Sequence, residues 1–267
     1  MVKKLFYINS EMEPFASVSN QGNLSVDIPL GLQEKGNDVR CLMPKYGFIS
    51  ERKYILREVI RLKEILFDYE NISYECSAKS AFLPQSRLQV YFLESEDQFG
   101  DLNNLLFKSK NGRFLPDNDA RFAFYSLATI KMLPNLFWFP NVIICNSWTS
   151  ALVPFLLKKL AKSDKDLSRI KTIYLANSLN EDVLFDAKNL PFNSETLSEL
   201  KALNLNQIGC LNADATIIID DEEKVSEKIM KTKFFKDSKK CSSVDLSNSE
   251  GDSSELLNEI EKVVKNL

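Results

Sequence analysis

Four side chains of this sequence could bind a polar ligand by hydrogen bonding or stacking: Ser17, Asn146, Trp148 and Asn177. The hydroxyl and the two amides can donate and accept hydrogen bonds, but none of them shuttles a proton near neutral pH. The indole ring offers a flat face on which a sugar can stack, or it could instead plug the corner between a strand and a helix. The set predicts a site for a neutral, hydroxyl-rich ligand and supplies no catalytic residue.

Histidine is absent from all 267 residues. Its absence removes the commonest general base, the Ser-His and Cys-His nucleophile pairs, and the commonest zinc ligand. The five cysteines are scattered without a Cys-x-x-Cys pair, at Cys41, Cys76, Cys145, Cys210 and Cys241. We therefore expect no metal site and no cofactor, and reduced, buried thiols in a cytoplasmic protein.

The elements that must position these side chains begin with a strand, a loop and a helix. Residues 5–8 are an apolar run long enough for one buried strand. A polar passage from Asn9 to Asn23 follows, and the next segment, which closes at Gly36, predicts a helix with a glycine stop. This order is the first unit of a doubly wound α/β fold, in which ligands bind beyond the carboxyl ends of the strands. The loop is therefore where a phosphate or a sugar is expected.

Further apolar runs predict the rest of a Rossmann-like, doubly wound, mostly parallel sheet. Strands are expected at 37–44, 140–145, 171–176 and 213–219, and a long helix is expected to begin at Asp117, which is placed to cap it. Residues 51–94 predict a β-rich excursion, with a strand-like alternation at 59–63 and a hairpin turn at 84–86. Short helices are predicted at 194–205, 206–212 and 223–231.

The last part of the chain, residues 232–267, predicts a closing strand and a carboxyl-terminal helix. Cys241 to Leu246 is strand-like, a Ser/Asp/Gly linker follows, and the helix from Ser253 carries its apolar residues on one face. We expect that face to dock back on the sheet, so that residues 1–267 form a single domain.

The overall charge and hydropathy argue against two classes of partner. A net charge of −3 lacks the basic footprint of nucleic-acid-binding proteins. No window approaches the roughly 18 to 20 apolar residues of a membrane span. The opening residues 1–4 run into a strand too short for a signal peptide. We therefore expect neither a nucleic acid nor a membrane as partner.

The first stretch resembles the bacterial glycogen synthases and plant starch synthases. Their amino-terminal half has a strand, a Ser-Glu-x-x-Pro segment, a Lys-(Thr/Val)-Gly-Gly-Leu-(Gly/Ala)-Asp loop and a helix ending Pro-x-x-Leu. The residues that fall into this frame without a gap are Ser10, Glu11, Pro14, Phe15, Val18, Gly22, Pro29 and Leu32. Later matches are Pro44-Lys45-Tyr46-Gly47, the string from Asp117 to Phe124, and Trp148, Ala151, Leu152 and Pro154. The resemblance covers about residues 3–230.

The residues that bind phosphate and assist transfer in that family are replaced here. Ser17 stands at the position of the lysine that the family aims at the nucleotide phosphates. The other replacements are Ser19 and Asn20 at the Gly-Gly pair, Asn23 and Ser147 at acidic positions, and Ile144 and Asn177 at histidine positions. The resemblance therefore implies the family's fold with most of its phosphate-binding chemistry lost.

The implied fold is the acceptor-side half of a GT-B glycosyltransferase that extends an α-1,4-glucan from ADP-glucose. After Lys231 the sequence no longer follows the family, whose second Rossmann domain holds the sugar nucleotide. The chain is thus expected to be catalytically impaired alone, unless a protein partner supplies the donor domain. The alternative is a non-catalytic glucan-binding or regulatory partner of a full-length enzyme. A domain for some other nucleotide ranks last, because no Gly-x-Gly-x-x-Gly loop follows any strand.

Overall fold

The computed structural model describes residues 2–69, 72–100, 106–176, 194–200, 203–220, 241–247 and 252–267. The strands are β1 (Lys4–Ile8), β2 (Asp38–Pro44), β3 (Arg57–Glu58), β4 (Ile65–Tyr69), β5 (Ile72–Phe82), β6 (Gln89–Glu94), β7 (Val142–Asn146), β8 (Lys171–Ala176), β9 (Ala215–Asp220) and β10 (Cys241–Asp245). The α-helices are α1 (Gln21–Glu34), α2 (Glu51–Tyr54), α3 (Asn118–Lys131), α4 (Leu133–Leu136), α5 (Leu152–Leu160), α6 (Ser194–Leu200), α7 (Leu205–Asn212) and α8 (Ser254–Asn266).

These strands form one mixed sheet in the order β10-β9-β8-β7-β1-β2-β6-β5-β3, with β4 paired to β5. The pairs from β10 across to β6 are parallel, and the pairs made by β5 are antiparallel. Strand β1 lies between β2 and β7. The chain first adds β2 on one side of β1 and later adds β7, β8 and β9 on the other side. The strand order thus reverses between β1 and β7, which is where such folds bind ligands. The predicted Rossmann-like, mostly parallel sheet with a β-rich excursion is confirmed.

Helices cover both faces of the sheet. The crossovers through α1 and α5 run in opposite directions along the sheet, so their right-handed connections place these two helices on opposite faces. On one face α1 contacts α8, and on the other α3, α5 and α7 contact one another in succession. The central strands between the two layers are buried, with β7 buried along its whole length. Burial on both faces explains why these strands read as continuous apolar runs.

The carboxyl-terminal helix packs against the body of the protein. Its residues Leu256, Ile260 and Val264 are buried, and it contacts α1, β9 and β10. Between α1 and α8, the Lys35 ammonium lies 2.9 Å from the Glu261 carboxylate. The two helices also approach closely at Gly31, where a Cβ atom would overlap the Leu257 side chain. The organisation of the whole chain as one domain stays a prediction.

Two local predictions differ from the structure. The alternation at 59–63 forms a 3₁₀ turn at Ile60–Leu62 instead of the predicted strand. Within the turn only Leu62 is buried and Ile60 is 90% exposed, so the two residues on the apolar side of the alternation do not face one common surface. Asp117 does precede α3, but its carboxylate binds Arg121 and caps no backbone N–H.

Other local features follow the sequence. Gly36 has φ of +90° at the end of α1, as a glycine stop requires. The turn at 84–86 joins β5 to β6, with Gln85 at φ of +61°. All five cysteines are free thiols and four of them are buried. The helix predicted at 223–231 lies outside the described residues. Among the described helices, none has the length and apolar character needed to cross a membrane.

Candidate functional site

The candidate site lies where β1 and β7 end side by side at the centre of the sheet. The register pairs Ile8 with Cys145, so the segments that follow the two strands leave the sheet together. They are joined by a buried hydrogen bond of 3.0 Å, which the Thr149 hydroxyl donates to the Ser10 hydroxyl. This hydrogen bond lies at the switch point, where the strand order of the sheet reverses direction.

Glu11 holds the first loop in place. Its carboxylate accepts the backbone N–H of Val18 at 2.8 Å and that of Ser19 at 2.9 Å, together with the Ser19 hydroxyl at 3.0 Å. The residue is 1% exposed. Burial raises the pKa of Glu11, while the hydrogen bonds from Val18 and Ser19 and the charge of Lys108 act in the opposite direction. Sequence reasoning placed Glu11 in a motif but assigned it no role.

Ser17, the first predicted ligand contact, is half-buried on this loop. Its hydroxyl donates to the carbonyl of Ser19 at 3.2 Å. Gly22, in the first turn of α1, lies directly beneath it, and a Cβ atom there would collide with the Ser17 side chain. The glycine therefore lets the loop close over the start of the helix.

The amino terminus of α1 is occupied by its own loop. Gly22 N–H donates to the carbonyl of Ser19 at 3.1 Å, and Gln21 N–H donates to the Ser19 hydroxyl at 3.2 Å. The N–H groups of Asn23 and Leu24 both donate to the carbonyl of Asn20. A helix terminus binds phosphate through N–H groups that are otherwise unsatisfied. Here those groups already have acceptors within the protein.

Asn146, the second predicted contact, ends β7 and is buried. Its amide donates to the Ser25 hydroxyl of α1 at 3.2 Å, so it ties the strand to the helix.

The equivalent position after β1 is Asn9, which is fully buried and was not predicted as a site residue. Neither side-chain atom of Asn9 has a hydrogen-bond partner among the described residues. A buried amide left in this state indicates that a polar group belongs beside it.

Ser147 has the most unusual backbone at the site. Its φ of +68° and ψ of 172° lie in a region that is essentially restricted to glycine. Its N–H donates to the Leu175 carbonyl at 3.0 Å, and its own carbonyl accepts from Ser150, so the conformation is imposed from both sides. The buried hydroxyl has no partner among the described residues. Strain together with an unsatisfied polar group is a pattern of ligand sites.

Trp148, the third predicted contact, is enclosed by aromatic rings. Phe107, Phe114 and Phe122 meet it edge-to-face, with ring centroids 5.4, 5.8 and 5.1 Å away. The side chain is 4% exposed. This packing favours the corner-plugging role over the role of an open stacking face. Asn177, the fourth predicted contact, lies outside the described residues.

Charged groups near the site are mostly bound to other protein groups. The Arg121 guanidinium binds the Asp117 carboxylate, the Asn118 side chain at 3.1 Å and the Gln98 carbonyl at 2.7 Å. The Lys45 ammonium lies 3.3 Å from the Glu51 carboxylate. In the part of the chain that the structure describes, no three His, Cys, Asp or Glu side chains gather as metal ligands. The residues at the end of β7, Asn146, Ser147 and Thr149, thus present neutral donors and acceptors at the switch point.

Comparison with known proteins agrees with this architecture. Residues 4–233 match the model of the starch synthase catalytic domain family. A glycogen synthase of Pelodictyon phaeoclathratiforme is 32% identical over 176 residues, which cover 66% of this chain and 36% of that protein. One from Chlorobium luteolum is 32% identical over 218 residues, or 79% of this chain and 44% of that protein. The chain thus spans less than half the length of these relatives.

The fold has a counterpart among solved structures. The catalytic domain of starch synthase IV from Arabidopsis thaliana, bound to ADP and acarbose, superposes with a TM-score of 0.66 at 19% identity. The superposition covers 81% of this chain and 45% of the other. At this identity the match concerns the fold. Since the family model spans most of the residues, the chain belongs to the starch synthase catalytic domain family.

Proposed function

We propose that this chain acts in α-1,4-glucan metabolism as the acceptor-side half of a glucosyltransferase, and that alone it does not transfer glucose from ADP-glucose. Family membership and the position of the site at the switch point support the first part. The related starch synthase IV structure, which contains ADP and acarbose, makes a sugar nucleotide and a glucan the ligands to test. A cytoplasmic location fits the five free thiols.

The observation that carries the second part is the closed first loop. Residues 9–20 include Glu11 and Glu13 but no lysine or arginine. The N–H groups of Val18, Ser19 and the first turn of α1 have acceptors inside the protein. Residues 9–20 therefore offer a diphosphate no cation, and the N–H groups of Val18, Ser19 and the first turn of α1 are not available to it. Cations and free backbone donors are the groups that stabilise developing charge in phosphate-leaving reactions.

Proton transfer is also unsupported by the residues of the site. The chain contains no histidine, and Ser17, Asn9 and Ser147 are neutral groups that cannot act as general bases near pH 7. Neutral hydroxyls and amides can still bind sugar hydroxyls. Each such hydrogen bond contributes only about 0.5–1.5 kcal/mol, so we expect glucan affinity in the millimolar-to-micromolar range.

A glucose-transfer assay tests this proposal. The purified chain, a glycogen primer and radiolabelled ADP-glucose should give no incorporation above a control without protein. The same mixture with cell extract, with and without the chain, shows whether another polypeptide supplies the donor side. Incorporation by the chain alone would overturn the proposal of catalytic impairment.

Glucan binding is tested separately by titration with maltoheptaose, followed by NMR. We expect saturable binding that Asn177→Ala weakens, because the asparagine stands where the family places a histidine at the sugar. If the chain increases the activity of a full-length synthase that is already active in the extract, the regulatory alternative is favoured. Absence of saturable binding at high millimolar ligand would remove the glucan-binding role and leave only a protein-partner role.

A further inference from the structure

One lysine near the candidate site has no ionic partner in the described part of the chain. Two other cations, Arg121 and Lys45, are bound to carboxylates. Lys108 is half-buried, and no hydrogen bond or ion pair links its ammonium to a described residue. The contact that it does make is with the ring of Phe114, whose centroid is 5.0 Å from Nζ.

The segment that carries Lys108 is fixed on the site. Lys108 and Phe114 form an antiparallel bridge, and Leu115 N–H donates to the carbonyl of Phe107 at 3.0 Å, so the segment 107–115 is a small hairpin. Phe107 and Phe114 pack on Trp148 directly after β7. The Asn118 amide donates to the Phe107 carbonyl at 2.8 Å and anchors the hairpin to α3. These contacts hold the hairpin that carries the lysine against Trp148.

The hairpin that carries Lys108 packs on Trp148, and the next residue, Thr149, donates a hydrogen bond to Ser10 at the start of the first loop. The positive charge of Lys108 lowers the pKa of Glu11 in that loop, against the larger effect of burial. The two do not form an ion pair, because the Glu11 carboxylate is directed to the N–H groups of Val18 and Ser19. Lys108 therefore has no carboxylate partner among the described residues, whereas residues 9–20 supply no cation of their own.

We propose that Lys108 binds the phosphate group of a nucleoside diphosphate or sugar phosphate at the ends of β1 and β7. The inference rests on the proposed function, since it takes the switch point as the ligand site. It assigns the anion contact to a hairpin between β6 and α3, whereas the closed loop at the start of α1 provides none. A lysine acts on phosphate as a point charge and does not need the backbone cradle that Glu11 has closed.

The experiment compares anion binding by three variants of the full chain. ADP and inorganic phosphate are titrated separately and followed by ligand-observed NMR at low salt. Lys108→Gln should weaken binding about tenfold or more, since a charge-assisted hydrogen bond is lost. Lys108→Arg should retain binding. Lys110→Gln is the matched control, because it removes the same charge from an exposed position of the same hairpin.

The outcomes separate this inference from the proposed function. If ADP binds and free phosphate does not, the nucleotide is the ligand; if both bind and both depend on Lys108, the phosphate group alone is recognised. Equal losses in Lys108→Gln and Lys110→Gln, or no binding of either probe up to about 10 mM, would overturn the assignment. Maltoheptaose binding should be the same in wild type and Lys108→Gln, so failure here leaves the glucan proposal standing.

Discussion

Glu11 binds Ser19 at two points: one carboxylate oxygen accepts the Ser19 N–H at 2.9 Å and the other accepts its hydroxyl at 3.0 Å. A buried carboxylate that faces a ligand site is commonly a candidate for acid–base chemistry. Here its lone pairs are directed to the loop. The residue therefore fixes the shape of the first loop.

The first prediction concerns the pH dependence that Glu11 contributes. Burial raises its pKa in the folded protein above the ordinary value of a glutamate. A raised pKa means that the folded state binds a proton more tightly than the unfolded state, so stability is present at low pH and is lost as the pH rises through the folded pKa. The free energy of unfolding of wild type should therefore fall relative to that of Glu11→Gln as the pH increases.

Urea unfolding followed by circular dichroism over a series of pH values measures this difference. The substitution also adds an amide opposite two N–H groups, which shifts stability by an amount that does not depend on pH, so the slope is the diagnostic quantity. Glu13→Gln, which makes the same substitution at an exposed position of the same loop, is the matched control. If the free energy of unfolding of wild type instead rises relative to that of Glu11→Gln as the pH increases, the hydrogen bonds to Glu11 outweigh its burial and the prediction is wrong.

The strands of the mostly parallel sheet could be predicted from the sequence because they depend on burial. Strands such as β1 and β7 lie between two helix layers, and continuous apolar runs in the sequence reflect this burial directly. The strand predicted from the alternation at 59–63 was wrong, since alternating apolar residues form a strand only when a surface exists against which the apolar side can pack.

The detailed site could not be predicted, because it depends on geometry that residue types do not encode. Nothing in the sequence Asn146-Ser147-Trp148 states that the serine adopts a positive φ. The enclosure of Trp148 depends on Phe107 and Phe114, which are distant in sequence. The direction of the Glu11 carboxylate is likewise set by the fold of a loop eight residues away.

The second prediction is that Ser147→Gly stabilises the protein. Glycine adopts this backbone conformation without strain, and the strain on other residues is of order 1–3 kcal/mol. The added flexibility of glycine in the unfolded chain offsets roughly 0.5–1 kcal/mol of that gain. The substitution also removes a buried hydroxyl that has no partner among the described residues. We expect a net gain of about 1 kcal/mol in thermal or urea unfolding.

Ser147→Ala separates the two effects, because alanine keeps the strain and loses only the hydroxyl. It should be neutral or slightly stabilising, since removing an unsatisfied buried polar group relieves its desolvation penalty. A marked loss of stability in Ser147→Ala would show that the hydroxyl is satisfied in solution. Both variants should weaken maltoheptaose binding if the hydroxyl contacts the sugar.

The third prediction tests how the carboxyl-terminal helix is docked. A Cβ atom at Gly31 would overlap one methyl group of Leu257 and lie 3.1 Å from the other. In the wild-type background, the crowding should cost more stability than the higher helix propensity of alanine provides. Gly31→Ala should thus lower the free energy of unfolding. In a Leu257→Ala background the crowding is absent, and Gly31→Ala should stabilise α1 by about 1 kcal/mol.

Unfolding of the four proteins in this double-mutant cycle gives the coupling between the two positions. A coupling above about 1 kcal/mol is expected for side chains in direct contact. Additive effects, within about 0.3–0.5 kcal/mol, would show that α8 does not pack on α1 in solution. That result would also contradict the single-domain organisation of residues 1–267.

The last prediction distinguishes the two roles considered for Trp148. Three aromatic rings surround the indole, and its removal would leave a large cavity after β7. Trp148→Ala should lower the free energy of unfolding by about 3–5 kcal/mol. Trp148→Phe, which keeps an aromatic body in the same corner, should lose much less. Because the packing role needs only a ring of adequate size, Trp148→Phe should bind maltoheptaose as wild type does. If Trp148→Phe folds with wild-type stability but loses the glucan, the indole is a stacking platform and the packing interpretation is wrong.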